Sequence, residues 1–373
     1  MNGTLLVSYS LEQLREILQR KGFKASFPRG EARGVLDPQS AVDAYLVEYY
    51  THNFDGRRVK ASGLLLIPSP HPRAYPFLAY HHGTIIHKKG APSYPENCPE
   101  SQFMAVMFAA HGYVVGLPDY IGLGHSQLRH PYFHTPTEAG AALDMLKAAY
   151  DLCGQLGARL NSQLFLTGYS QGGQVTLALQ QLLEKEYPRE FPLTASAPGS
   201  GPYDLVSLWE AAVRRPYPLA NSLLCYLAVD YHHIYRPEGD YEDLFLPPYH
   251  QTAPHLVGGE VNSLAEEFFP PTPQKLFQPV FLAQVKRRRH RLYRKLKENS
   301  LKPWAATTPT CFYYSLDDEV VTRNQAEWMY RQCLQAGGDV RLKHCGKLRH
   351  LNAYLPMMLT IRQWFDRMKK NSD

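Results

Sequence analysis

The chain has 373 residues, two to three times the length of an average domain and within reach of one α/β domain carrying an insertion. Hydrophobic residues make up 44% and charged residues 20%, which excludes disordered and collagen-like chains. The net charge is +6, yet eight Lys and Arg fall within residues 286–297 (KRRRHRLYRKLK), which hold no acid and leave the rest at −2. The basic character is therefore local, and nucleic acid is not an expected partner.

The chain begins with a short apolar run that has no basic residues ahead of it, then a helix-period pattern at Leu11, Leu14, Ile17 and Leu18. That start does not read as a signal peptide. The expectation is a cytoplasmic protein, or a secreted or periplasmic one if the chain is a mature form. Residues 42–51 and 58–67 read as two strands around a Phe54-Asp55-Gly56-Arg57 turn. Short apolar runs at 76–80, 113–117, 164–167 and 193–197 then alternate with helical patterns at 101–110, 137–153 and 172–186. Such alternation predicts a mostly parallel sheet covered on both faces. The pattern stops near Gly201 and resumes at Thr310 with strands at 310–314 and 339–345 and helices at 323–336 and 352–368. Residues 1–204 and 306–373 are thus expected to form one core. Residues 205–305 are expected to form a largely helical cap inserted between two strands.

No run of about 18 uncharged apolar residues predicts a transmembrane helix. The six cysteines have no C-x-x-C spacing and give no disulfide assignment. His130 and His134 are four apart with Pro131 between them, and no H-E-x-x-H pattern occurs, so no metal or cofactor is expected.

The five residues Gly168-Tyr169-Ser170-Gln171-Gly172 form G-x-S-x-G directly after the run 164–167 and directly before a helix. A serine on such a strand-to-helix turn projects its hydroxyl above the sheet edge, which makes Ser170 the expected nucleophile. The base and its orienting carboxylate should follow in the order Asp or Glu, then His. Among Asp317, Asp318 and Glu319, Asp318 is the expected orienter and Asp317 the alternative. His350 lies past the last strand and is the expected base. His344 shares a strand face with Val340 and Leu342 and reads as a packed sheet histidine. The amides of Gln171 and of Thr84, in the loop His81-His82-Gly83-Thr84, are expected to form an oxyanion hole. His82, Gly83, Tyr120 and Tyr169 are expected to border the substrate pocket.

With these residues in this order the chain resembles the α/β-hydrolases, and more narrowly the secretory lipases (lipase A type) and related bacterial lipases and esterases. The resemblance rests on Pro118-Asp119-Tyr120-x-Gly122-x-Gly124, on Gly168-Tyr169-Ser170-Gln171-Gly172 and on a helical cap before the acid. It also rests on the approach from Trp304 to Pro309. Thr322 stands where those proteins carry a proline after the acid strand. The resemblance implies a serine carboxylic-ester hydrolase acting on an acyl ester or lipid without a cofactor. The alternatives are a serine peptidase of similar core and an inactive binding protein on the same fold. Residues Lys286 to Lys297, with Val285, Leu292 and Leu296 as an apolar stripe, read as a cap helix, either a solvated face or a contact for an anionic membrane. The cap aromatics Tyr203, Trp209, Tyr217, Tyr226, Tyr231, Tyr235, Phe268 and Phe269 read as a small core or as the walls of an acyl site.

Overall fold

A computed structural model describes residues 3–20, 33–214, 218–235, 240–261 and 268–370. Nine strands form one sheet in the order β1-β2-β3-β5-β4-β6-β7-β8-β9. They are β1 (Thr4–Tyr9), β2 (Ala41–His52), β3 (Arg58–Ser69), β4 (Tyr75–His81), β5 (Val114–Pro118), β6 (Leu160–Tyr169), β7 (Leu193–Gly199), β8 (Thr310–Tyr314) and β9 (Val340–His344). The pairs β1–β2, β2–β3 and β3–β5 are antiparallel, and the rest are parallel. The hairpin is longer than its apolar pattern, with twelve residues in each arm.

The central strands are apolar on both faces because helices cover both. On one face Leu78, Tyr80 and Phe165 pack with α1 (Leu11–Gln19), α2 (Pro99–Met107) and the final helix through Leu14, Met104, Met358 and Phe365. On the other, Phe77, Ala79, Leu164 and Leu166 pack with α3 (Thr135–Gln155) and α4 (Gln171–Glu186) through Met145, Ala149, Val175 and Leu179. Period-2 alternation sends neighbours such as Leu164 and Phe165 into opposite layers. Helix α1 starts at a capping box between Ser10 and Gln13, which satisfies two backbone N–H groups at its first turn.

Between β7 and β8 lie α5 (Leu205–Arg214), α6 (Pro218–Tyr235), α7 (Tyr249–Leu256), α8 (Pro279–Lys286) and α9 (Arg291–Asn299). Trp209, Tyr226, Tyr231, Phe269, Phe277 and Leu296 are buried together there as a separate core. Most of the cap aromatics are spent on that core. Tyr203 packs instead with Phe312 in another cluster, and Tyr217 lies outside the described residues. After β8 come α10 (Asn324–Gln335) and α11 (His350–Met368).

The first apolar run, to which no element was assigned, is an edge strand, β1, with mostly exposed side chains. Two expectations need correction. His344 is exposed at the C-terminal end of β9: Val340 and Leu342 on its face pack against Met329 and Cys333, but that cover stops short of His344, so it is not packed in the sheet. The basic segment is not one helix: it spans the end of α8, a break with Arg288 at φ +60°, and α9. Val285, Leu292 and Leu296 do face inward. All six cysteines are free. No helix among the described residues is long and apolar enough to cross a membrane.

Candidate active site

The loops after β4, β6, β8 and β9 meet at the C-terminal ends of the parallel strands, the edge where open α/β sheets bind ligands. Ser170 caps α4 with φ +57° and ψ −119°, a left-handed-side conformation that L-residues rarely adopt. Its amide donates to the Gly199 carbonyl at 2.9 Å, which fixes the turn from the neighbouring strand. The flanking glycines are required by space. A Cβ on Gly172 would lie 1.9 Å from the His81 carbonyl oxygen, and one on Gly168 would lie 2.4 Å from the Gly172 carbonyl oxygen.

The Ser170 hydroxyl is 3.0 Å from Nε2 of His350. Nδ1 of the same ring is 2.8 Å from Oδ2 and 3.0 Å from Oδ1 of Asp318. Asp318 is buried, whereas its neighbour Asp317 is exposed. Oδ1 of Asp318 also accepts the Val320 and Val321 amides at 3.0 and 2.8 Å, so the turn itself orients the carboxylate. A carboxylate can only accept, so Nδ1 carries the proton and Nε2 is free to take one from the serine. His350 opens α11, and its own amide donates to Glu319 at 3.0 Å. The Tyr169 hydroxyl donates to the His350 carbonyl at 2.6 Å, clamping the ring from the strand side.

A cavity of about 170 Å³ borders Ser170 and His350, with Gly83, Thr84, Tyr169, Leu219, Leu223 and Tyr354 among its walls. Leu219 and Leu223 come from α6 and close it from above. No local pattern marks them, because their role exists only once the cap is placed. Among the described residues neither the Thr84 nor the Gln171 amide donates to another group. Gly83 lies directly beside the serine, since a Cβ there would sit 3.8 Å from Cβ of Ser170.

Of the four expected pocket residues, Gly83 and Tyr169 line the cavity and His82 and Tyr120 do not. The latter two lie buried behind the loop. Nδ1 of His82 meets the Gly83 carbonyl at 2.6 Å and Nε2 meets the Asp119 carbonyl at 3.2 Å. Tyr120, at φ +67°, packs on the His82 ring at 4.3 Å. Burial holds His82 neutral, its pKa lowered to about 4. Asp119 is likewise structural, accepting from Ser62 at 2.6 Å and from the Ser93 amide at 2.8 Å.

Two carboxyls not anticipated from the sequence stand close by. Glu100, in the first turn of α2, borders the cavity, and burial raises its pKa to about 7. Glu138, in the first turn of α3, contacts the Gln171 side chain, and burial raises its pKa to about 8. An acid in a first helical turn ordinarily reads as a partner of the helix dipole, which hides any other role.

A family model for secretory lipases matches residues 100–371, well over half of the chain. The chain belongs to the secretory lipase family. Its fold is similar to that of a Legionella pneumophila protein, at 27% identity and a TM-score of 0.90, covering 100% of this chain and 99% of that one. It is also similar to the rice cell wall degrading esterase LipA of Xanthomonas oryzae, at 26% identity and a TM-score of 0.85, covering 99% and 98%. Candida antarctica lipase A in its closed state shares the fold at 17% identity and a TM-score of 0.69, covering 88% and 79%. No match was found among curated proteins. As a member of this family on an α/β-hydrolase fold, the protein is a carboxylic-ester hydrolase, a lipase or esterase.

Proposed function

We propose that this secretory lipase hydrolyses esters through Ser170 as nucleophile, His350 as base and Asp318 as the group that orients it. The observation that carries the reading is the continuous relay of 3.0 Å from Ser170 to His350 and 2.8 Å from His350 to Asp318. Ser170 Oγ attacks the ester carbonyl carbon while its proton passes to Nε2 of His350. Asp318 stabilises the imidazolium and keeps the proton on Nδ1. The negative charge on the former carbonyl oxygen is met by the Gln171 and Thr84 amides, with the N-terminus of α4 behind the first of these. Collapse expels the alcohol, which takes the proton from His350. A water activated by the same ring then releases the acid from the acyl-enzyme, and no cofactor enters the balance.

The cap is residues 205–305, and its Leu219 and Leu223 close the cavity. An engineered cavity of about 150 Å³ holds benzene, so about 170 Å³ accommodates a short acyl group of about six carbons. The family supports a secreted or periplasmic location. Ser170→Ala should abolish hydrolysis of p-nitrophenyl butyrate, and a fluorophosphonate probe should label Ser170 in the wild type. Wild-type activity in the alanine variant would overturn the assignment.

A second reading concerns the outer face of the cap. Lys286 to Arg289, Arg291, Arg294 and Lys297 are exposed, and among the described residues only Lys295 of this segment has an acidic partner, Glu298 at 2.5 Å. Beside them lie the exposed Val280 and a groove of about 670 Å³ lined by Trp209, Val213, Leu282 and Tyr293. Unpaired cations around an apolar surface match an anionic lipid interface. Arg291, Leu292 and Lys295 meet α6 near Ala228–Tyr235, whereas the Ser170 cavity meets it at Leu219 and Leu223. The contact would therefore orient the enzyme rather than shape its pocket. Sedimentation with phosphatidylserine-containing vesicles should exceed that with phosphatidylcholine vesicles. Replacing Arg287, Arg288, Arg289 and Arg291 by Gln should remove the difference and leave soluble-ester hydrolysis unchanged. Equal binding to both vesicle types would contradict this reading.

A further inference from the structure

The proposed oxyanion amides are each backed by a half-hidden network that ends on a carboxyl. On one side, Glu100 accepts the Gly83 amide at 3.2 and 3.3 Å and the hydroxyl proton of Tyr80, which in turn meets the Tyr354 hydroxyl at 3.0 Å. Tying down the Gly83 N–H leaves the next amide, that of Thr84, as the free donor of the loop. On the other side, Glu138 Oε1 accepts from Gln171 Nε2 at 2.6 Å and from the Phe133 amide at 3.0 Å. The second Nε2 proton of Gln171 goes to Nε2 of His130 at 2.9 Å. Direction is fixed there: Nδ1 of His130 faces the Ile121 carbonyl at 2.8 Å, so Nδ1 carries the proton and Nε2 accepts. Burial keeps that ring neutral, its pKa lowered to about 3. The side chain of Gln171 is thus held from two directions, and with it the first residue of α4.

We propose that Glu100 and Glu138 are positioning residues of the hydrolytic site, fixing the Thr84 and Gln171 amides at the angle the oxyanion needs. The inference rests on the Ser170 reading above. Glu138 acts from behind the Gln171 amide, and Glu100, at the cavity edge, acts on the loop through the Gly83 amide. Removal should therefore lower the rate of the chemical step more than it weakens substrate binding. Their charge state belongs to the same design. Glu100 faces Tyr80, Cys98, Tyr120, Tyr354 and His350, and Glu138 faces His130, Tyr120, Tyr226 and Tyr231. Only His350 in that set gains a positive charge during turnover. With pKa values raised to about 7 and about 8, Glu100 is largely neutral below about pH 6 and Glu138 below about pH 7, and both then still accept through their carbonyl oxygens. Ionisation above that range brings two negative charges behind a developing oxyanion, which raises the barrier.

The test is steady-state hydrolysis of p-nitrophenyl butyrate by the full chain from pH 6 to 9.5. Glu100→Ala and Glu138→Ala should each lose on the order of 10²-fold in kcat with KM within about threefold of wild type. Glu100→Gln and Glu138→Gln keep an acceptor and should recover kcat to within about fivefold at pH 6.5. The wild-type kcat should decline from about pH 7 upward as first Glu100 and then Glu138 ionise, and the double Gln variant should not. Where an alanine variant fails to fold by circular dichroism, the pH profile of its Gln counterpart decides. Alanine variants with wild-type kcat, or Gln variants with the wild-type alkaline decline, would overturn the positioning roles while Ser170 is still labelled. Hydrolysis by Ser170→Ala at the wild-type rate would instead sink the nucleophile reading.

Discussion

Gly172 and Gly140 both lie in helices, yet their surroundings predict opposite outcomes for the same substitution. A methyl on Gly172 would meet the His81 carbonyl at 1.9 Å and the His82 carbonyl oxygen at 2.7 Å, and these are backbone atoms that cannot rotate away. Helix α4 would have to move off the β4 loop, taking Ser170 and the Gln171 amide with it. Gly172→Ala should therefore cost at least about 1–3 kcal/mol of stability, the range for overpacking. It should also reduce kcat on the order of 10²-fold through misplacement. Gly140 in α3 has nothing within 4 Å of the same methyl position. Gly140→Ala should add about 0.5–1 kcal/mol by restricting the unfolded chain and should leave the rate alone. Thermal melting and ester hydrolysis of the two variants side by side check both signs. Asp318 is legible at this scale for a related reason. Only the acid whose turn folds back on it, with the Val320 and Val321 amides donating, is buried beside His350.

At the scale of elements, the joint between core and cap includes a buried ion pair beside hydrogen bonds such as those of Thr135 to Asn299 and of Tyr231 to the Phe133 carbonyl. Arg129, in the loop after β5, pairs with Asp230 of α6, and its guanidinium also donates to the Pro254 carbonyl at 3.3 and 3.4 Å and to the Val257 carbonyl at 3.3 Å. Arg129→Met leaves the Asp230 carboxyl buried without its partner, which typically costs about 3–5 kcal/mol. Limited proteolysis should then cut first within residues 205–299, and adding Asp230→Leu should restore resistance. Unchanged cleavage in the single variant would show that the pair does not hold the cap. The parallel strands and their helices were readable because both sheet faces are covered, which forces short continuous apolar runs between helical periods. Strand β1 was not, since an edge strand with mostly exposed side chains has no face to declare. His344 misled for the complementary reason: period 2 predicts a face shared with Val340 and Leu342, but the cover on that face ends before the strand does and leaves His344 exposed. The Ser170, Asp318 and His350 positions follow from chain order and strand ends. Glu100, Glu138 and the cap leucines depend on contacts between distant segments, which no local pattern records.

For the molecule as a whole, the buried titratable groups set opposite limits on stability in acid and in base. Burial lowers the pKa of His81, His111 and His130 to about 3 and of His82 and His134 to about 4. In the unfolded chain these rings titrate near 6.5, so below that pH the unfolded state binds protons that the folded state refuses. Their contribution is complete above about pH 6.5 and is lost as the pH falls toward 3–4. The carboxyls run the other way. Glu100 is raised to about 7 and Glu138 to about 8, and Asp119 is shifted in the same direction, each mainly by burial. Unfolded carboxyls ionise near 4, so these groups favour the folded state only below that value and penalise it increasingly as the pH rises to 7–8. Between about pH 4.5 and 6.5 the two sets largely cancel. Below that window the histidines dominate, and above it the carboxyls do. The melting temperature should therefore form a plateau across that window and fall on both sides, steeply in acid and more gently up to about pH 8. Glu138→Gln removes one of the alkaline contributions and should flatten that limb without touching the acid one. A melting temperature that climbs between pH 7 and 9 in the wild-type protein would show that the buried carboxyls are ionised and paired in the folded state. The neutral form required behind the oxyanion amides would then be absent as well.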